Sequence, residues 1–477
     1  MAAAGGGPQW LDVVSGEVWW AEGRPGEQGR VALVRAVPGG TEDVLPAPWN
    51  VRNRLHEYGG RPWAVADGVV VFTHWSDQRV YAQSEIGVVP LTPSPAQPQS
   101  VRYGDLRAGR PGEVWAVRER STGPRPTDIE RELVAIAVDG GGERVLAASH
   151  RFLTVPKLSP DGRHAAWFGW DHPRMPWDGT ELCVAPVDGA GAFGPHRVVA
   201  GGVDVSVCQV EWETPEALLA LADPDGWWNL HRIGLDGSVV NLAPVDQELG
   251  GPLWKAGSRW FAPLGGGRHA VLAGGRLAVL DQADGSVTPV DGELTAWSST
   301  GFAVLGAAVV GVAGGPARES AVVRVALDGT VTDLTPQPEL PSAFLPVPQE
   351  RVFTTADGET VPVVLYPPRT RISRLPTASG RPCWCTSTVA PPGSTSPSWT
   401  WRSRTSPAAA SASRRSTTAG RRGSGAPTGS GCGSSGAWWT SPTAWRWPRR
   451  WWRPGWPTVT GWASAAAARA GSPRRRR

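Results

Sequence analysis

The sequence predicts an all-β fold, a β-propeller of roughly seven blades, and three observations carry that expectation. Short apolar runs recur along residues 1–370, turn signals separate them, and one strand–turn–strand phrase repeats at blade spacing. The runs include Glu17–Trp20, Trp63–Thr73, Glu113–Val117, Ala165–Trp170, Ala217–Ala222 and Ala270–Leu280. Asp-Gly pairs stand at 67–68, 139–140, 161–162, 225–226, 236–237, 284–285, 328–329 and 357–358. Such pairs tolerate the positive φ that tight hairpins demand. The repeated phrase is an apolar strand end, an Asp-Gly turn, then Ser or Thr and Val. It occurs at Ile233–Leu242, Ala278–Val290 and Val325–Leu334. A spacing of roughly 40–50 residues matches one four-stranded blade, so about 340 residues make about seven. No stretch places apolar residues at helical spacing. Each blade buries its faces only against its neighbours, and closing the ring removes most open edges. An open array of β-sandwiches is the structural alternative.

Charge divides the 477-residue chain in two. Residues 371–477 hold 18 Arg, no Lys and no acid, whereas residues 1–370 hold 29 basic and 43 acidic groups. The last segment has eleven Trp but one Ile and one Leu, too few aliphatic side chains for a packed core. Its Gly, Pro, Ser, Ala and Arg content predicts a disordered tail, although ordinary disordered tails avoid Trp. Domain boundaries are therefore expected at 1–345 for the propeller, 346–370 for a short β segment, and 371–477 for the tail. The basic tail shows no regular spacing of cations and aromatics, so no specific nucleic-acid or membrane partner is expected.

The N-terminus, Met-Ala-Ala-Ala-Gly-Gly-Gly, lacks the basic and apolar regions of a secretion signal. No apolar run approaches the ~18 residues of a membrane span. The five cysteines form no C-x-x-C pair, which argues against zinc and thioredoxin-like sites. Cys183 and Cys208 read as small buried hydrophobes, and the sparse set fits a cytoplasmic location.

Several phrases resemble the propeller half of prolyl-oligopeptidase-family serine peptidases, the acylaminoacyl peptidase and dipeptidyl aminopeptidase group. They are Arg54-Leu-His-Glu-Tyr-Gly-Gly60, Leu158-Ser-Pro-Asp-Gly162, the Trp- and Pro-rich stretch Trp170–Leu182, and Asp223–Arg232. The long Trp170–Leu182 phrase is the specific one; Ser-Pro-Asp-Gly is a common propeller turn. Arg351–Pro368 resembles the paired strands that open the family's α/β-hydrolase domain. The resemblance implies hydrolysis of short peptides by a Ser, His and Asp triad with an oxyanion hole, needing no cofactor.

The chain as written does not supply that machinery. The nearest serine context, Gly433-Ser-Ser-Gly-Ala437, lacks the final Gly of a G-x-S-x-G elbow, and no Asp, Glu or His follows Glu359. A shifted reading frame accounts for the tail. Trp, Cys and most Ser codons begin with T; one base out of register that T becomes a middle base, which encodes mainly Leu, Val, Ile and Phe. In one such register, residues 371–392 permit a His-Gly-Gly-Pro segment and residues 438–471 permit a nucleophile elbow. The slip then lies near Arg369–Arg371. The expectation is a peptidase propeller without a working catalytic domain. The alternatives are a stand-alone propeller scaffold that binds a peptide or protein, and an error confined to the recorded DNA.

No catalytic or metal-binding residue is assigned. Arg54, His56 and Glu57 are the substrate-facing candidates, since a carboxylate suits a peptide amine and a guanidinium suits its carboxylate. A polar network between blades is the plainer reading of the same three. Asp171, His172 and Asp178 are expected to pack structurally, and Trp227 and Trp228 to fill space between blades. Oligomeric state is left open.

Overall fold

In a computed structural model of the chain, residues 7–85, 87–337, 345–354, 358, 360–367 and 385–386 are described. Apart from Cys385 and Thr386, the expected tail lies outside the described residues.

Twenty-eight strands between Pro8 and Asp333 form seven four-stranded antiparallel blades, within residues 8–43, 63–90, 101–147, 152–201, 207–241, 261–289 and 296–333. No α-helix occurs among the described residues, only two 3-10 turns, at Pro25–Glu27 and Leu55–Glu57. Seven blades agree with the repeat. Its three phrases are the hairpins joining the third and fourth strands of blades 5, 6 and 7. The Asp-Gly signals also hold. Asp67 and Gly68 sit at φ 50° and 78°, the mirror-image turn whose twist suits flanking strands.

The second strand of each blade explains why the apolar runs were visible. His164–Trp170, Ala217–Ala222 and Ala308–Gly315 are buried along nearly their whole length, on both faces. Fourth strands such as Gly40–Asp43 and Ser286–Pro289 are exposed and short, which leaves little edge to pair with another chain. The core is a set of sandwiches between neighbours rather than one mass. Trp115 and Leu133 of blade 3 pack on Ala165, Trp167 and Cys183 of blade 4. Trp63 and Phe72 of blade 2 pack on Ala21 and Leu33 of blade 1. Leu11 and Trp20 of blade 1 pack on Val310 and Val322 of blade 7. A parallel bridge, Leu11 to Gly301, joins the inner strands of blades 1 and 7 and closes the ring.

The inner strands are Pro8–Val14, Trp63–Ala66, Val101–Ala108, Phe152–Leu158, Val207–Thr214, Phe261–Gly265 and Ala296–Leu305. Those of blades 1, 3 and 4 each carry a bulge, with Trp10, Asp105 and Val155 at φ 56°, 52° and 58°. A bulge re-aims the side chains that follow it. Two residues beyond each one stands a charge: Asp12, Arg107 and Lys157.

Downstream of the blades, strands run at Gln349–Thr354 and Thr360–Leu365, and Cys385–Thr386 pairs antiparallel with Val364 and Leu365. No helix among the described residues is long and apolar enough to cross a membrane.

Candidate functional site

The end of the ring where inner strands begin, here the entry face, carries the candidates named from sequence. The segment Asn50–Arg61 leads into blade 2 and is held by Asn53. The Asn53 Oδ1 accepts from the N–H groups of Leu55 (3.2 Å) and Gly60 (2.9 Å), and Nδ2 donates to the Gly60 carbonyl and Thr73 hydroxyl. Leu55 is fully buried. Arg54 and Glu57 face outward and pair at 3.0 Å, with side chains 39% and 56% exposed. Glu57 also accepts from Arg102 of blade 3, and the Arg54 N–H donates to Gln78 at 2.8 Å.

His56 takes a different position from its two neighbours. It has a left-handed backbone (φ 51°), and its ring sits edge-on to Phe152 and Trp170 at 5.5 and 5.7 Å. Its N–H donates to Glu119 at 3.3 Å, while Nε2 is buried without a partner among the described residues. Burial lowers its pKa to about 4, against the opposing pull of Glu119. The structure thus joins Arg54 and Glu57 to blade 3 through Arg102, and seats His56 in an aromatic nest. Beside them exposed Tyr58 and Trp254 form a cluster with half-buried Trp177, the Trp177 and Trp254 centroids 4.2 Å apart.

Asp171, His172 and Asp178 each make a local contact. Asp171 accepts from the Arg151 N–H at 2.7 Å, His172 meets Phe152 edge-on at 5.0 Å, and Asp178 accepts from the Met175 N–H. Trp228 is buried and donates to the Ser206 hydroxyl, whereas Trp227 is half-buried. Cys183 and Cys208 are free and fully buried. One group of metal-type donors exists among the described residues: His150, Glu181 and Cys183, whose ligand atoms lie within 4.8 Å of one another. Both imidazole nitrogens are already engaged, Nε2 with Glu181 at 3.0 Å and Nδ1 with Ser149 at 2.8 Å. Burial, then Glu181, pushes the Cys183 thiol up to about 12.

A second polar site lies on the axis, which the sequence reading did not identify. Two loops meet across the axis at the entry face. The connection into blade 6 reaches over so that the Ala256 carbonyl accepts from the Arg61 N–H at 2.9 Å and the Arg259 N–H donates to Ser299 of blade 7 at 2.7 Å. Gly257 is pressed so closely on Arg61, Asp105 and Trp10 that a Cβ there would meet them at 2.9 to 3.2 Å. Leu55 and Ala256 share one apolar cluster with blade 3. Below this stopper is a cavity of about 690 Å³, reaching Ser15 and Ser159 where inner strands end.

Ions line it. Asp12 accepts from Arg61 and, at 3.1 Å through both oxygens, from Arg259. Asp105, fully buried, accepts from Arg107 (2.8 Å), the Thr154 hydroxyl (2.8 Å) and the Val155 N–H (2.6 Å). Lys157 pairs with Glu211. Burial raises the Asp12 carboxyl, but Arg259 and Arg61 outweigh it and hold it well below the usual range. Burial likewise lowers Lys157 to about 8 despite Glu211. The sequence signal was present in Trp10-Leu-Asp12 and Val155-Pro-Lys157, a charge inside an otherwise apolar strand, but only the bulges reveal which way it points.

No family model and no curated protein matches the chain. Solved structures do. Two crystal structures of puromycin hydrolase, one a mutant complexed with PGG, are each 40% identical to this chain with TM-score 0.74, covering 79% of it and 61% of themselves. A Mycobacterium tuberculosis puromycin-hydrolyzing peptidase is 36% identical with TM-score 0.73, covering 80% of this chain and 62% of its own. Prolyl oligopeptidase B from Galerina marginata, 13% identical with TM-score 0.52, shares the fold alone. The chain thus spans about 61% of the length of the puromycin hydrolases it matches. In sequence and in fold, its blades are similar to the propeller-like N-terminal portion of these neighbours, which are prolyl oligopeptidase family members.

Proposed function

We propose that this chain is the substrate-restricting propeller of a serine peptidase acting on short peptides, and that the polypeptide as written has no peptidase activity. The observation that carries the reading is the 40% identity to puromycin hydrolase over 79% of the chain. The entry face is the side expected to meet substrate and a hydrolase domain, because blade 1 begins and blade 7 ends there. On that face Arg54 and Glu57 offer opposite charges suited to the two ends of a peptide, and the Tyr58, Trp177 and Trp254 cluster offers aromatic surface. Puromycin, in the names of the relatives, is the first substrate to test. Two buried free thiols suit a reducing compartment, the cytoplasm.

The inactive state follows from residues 371–477, which carry no acid, no histidine and no G-x-S-x-G segment. The test is an assay of the purified chain with chromogenic dipeptide and aminoacyl substrates. Turnover blocked by a serine-directed phosphonate would refute the inactive reading. Nucleotide sequencing across codons 365–385, with an intact mass of the native protein, separates a genuine frameshift from a recording error.

The aromatic cluster also suits a second reading, a stand-alone scaffold for a peptide or protein. A propeller shaped to pack on a hydrolase domain should self-associate through that face, whereas a self-sufficient scaffold should stay monomeric. Sedimentation of the chain cut after residue 345 decides between them.

A further inference from the structure

We propose that the blind well on the propeller axis binds a small oxyanion, a carboxylate or a phosphate. This does not depend on the peptidase reading. Three independent features point to it. The first is shape: the stopper formed by Leu55, Ala256 and Gly257 closes one end, so the cavity of about 690 Å³ is a pocket rather than a passage.

The second is charge. The wall carries four cations, Arg61, Arg107, Lys157 and Arg259, against the two carboxylates of Asp12 and Glu211, with Asp105 buried behind Arg107. Low-dielectric walls focus that unbalanced positive charge into the well.

The third is the hydrogen-bond inventory. Each carboxylate is engaged, yet Arg61 Nη1, Arg107 Nη1 and Arg259 Nε donate to no protein group among the described residues. Guanidinium donors without acceptors, in a cavity, match the oxygens of a planar or tetrahedral anion better than a bare halide. The bulges at Asp105 and Val155 help build the site, since they turn Arg107 and Lys157 toward the axis.

Inorganic phosphate is the probe, titrated into the full chain at constant ionic strength and read by calorimetry and by the thermal midpoint. Saturable binding at one site, with Kd on the order of 1 mM, is expected. Ala108 lines the well and is exposed, so a longer side chain fits there. In Ala108→Glu the new carboxylate occupies the donors, weakening phosphate at least ~10-fold, about 1.4 kcal/mol. Ala108→Gln, matched in size and uncharged, retains binding. The absence of saturable binding by the unaltered chain would overturn the proposal, as would equal affinities for the Glu and Gln variants. Acetate that displaces phosphate assigns the site to carboxylates such as a peptide terminus; acetate that cannot displace it assigns the site to phosphate. Both results uphold an oxyanion site.

Discussion

Two levels of the propeller axis are held by different chemistry. At the entry face the closure is backbone and small apolar groups: Leu55 and Ala256 in one cluster, Asn53 fixing the loop, Gly257 pressed against Arg61. Beyond it the same axis is held by ions that reach from blade to blade. Arg61 of the run into blade 2 and Arg259 of the run into blade 6 converge on Asp12 of blade 1, while Lys157 of blade 4 meets Glu211 of blade 5. Apolar closure is insensitive to pH and salt. Ionic closure in a confined space is strong only while every charge keeps its partner. The comparison teaches where this ring should fail first.

The largest effect is expected at Asp12. Asp12→Ala leaves Arg61, whose side chain is 8% exposed, and Arg259 facing one another without a carboxylate. A loss of about 4 kcal/mol follows, measured by urea unfolding. Acid should reach the same weak point. Burial raises the Asp12 carboxyl, but Arg259 and Arg61 lower it further, below its ordinary 3.8. A depressed carboxyl contributes stability that is present above the unfolded value and disappears as pH falls through the folded one. The contribution therefore fades only below about pH 4, and Asp12→Ala should flatten that part of the profile.

Next in size is the stopper itself. Leu55 is fully buried against Trp115, Val117 and Ala256, and Leu55→Ala should cost about 3 kcal/mol by leaving a cavity. Unlike the loss at Asp12, this one should be equal at pH 2 and pH 7. A stopper loss that grew in acid would erase the distinction between the two levels.

This division also marks what the sequence made legible. Second strands such as Ala217–Ala222 are apolar on both faces and stand out as continuous runs. The repeated Asp-Gly hairpins announced blades 5 to 7 because their turns need positive φ. Inner strands were poorly visible, since a bulge breaks alternation and the axis demands charge: Pro8–Val14 and Phe152–Leu158 read as mixed polar text. Fourth strands outside those three hairpins were missed because a few exposed residues, as in Gly40–Asp43, carry no pattern at all. Arg54 and Glu57 were named because a guanidinium and a carboxylate suit the two ends of a peptide, and both face outward at the entry face. That His56 would turn inward depends on Phe152 and Trp170, about a hundred residues away, and nothing local encodes it.

His56 gives a third, smaller effect. Burial brings its pKa from 6.5 down to about 4, against the pull of Glu119. The unfolded chain takes up a proton near pH 6.5 that the folded chain refuses until about pH 4. Stability is thus full above the upper value and declines as pH falls between the two, by about 3 kcal/mol. His56→Phe should remove this slope while keeping the contacts to Phe152 and Trp170. A slope that survives the substitution would place the titration elsewhere.

The smallest effect belongs to Arg54, and it tests whether charge holds the entry loop at all. Its guanidinium pairs with Glu57 where both side chains are more than a third exposed, and it lies 6.0 Å from the Trp75 ring. Exposed pairs contribute little because water screens them and two long side chains must be ordered. The bond from its backbone N–H to Gln78 persists in alanine. Arg54→Ala should therefore change unfolding free energy by less than about 0.5 kcal/mol. A loss above ~1 kcal/mol would mean that the loop rests on its charges rather than on Asn53 and Leu55. With stability unchanged, any loss of peptide hydrolysis when the same substitution is made in a chain carrying an intact hydrolase domain can be read as recognition, because the loop that presents residue 54 has not moved.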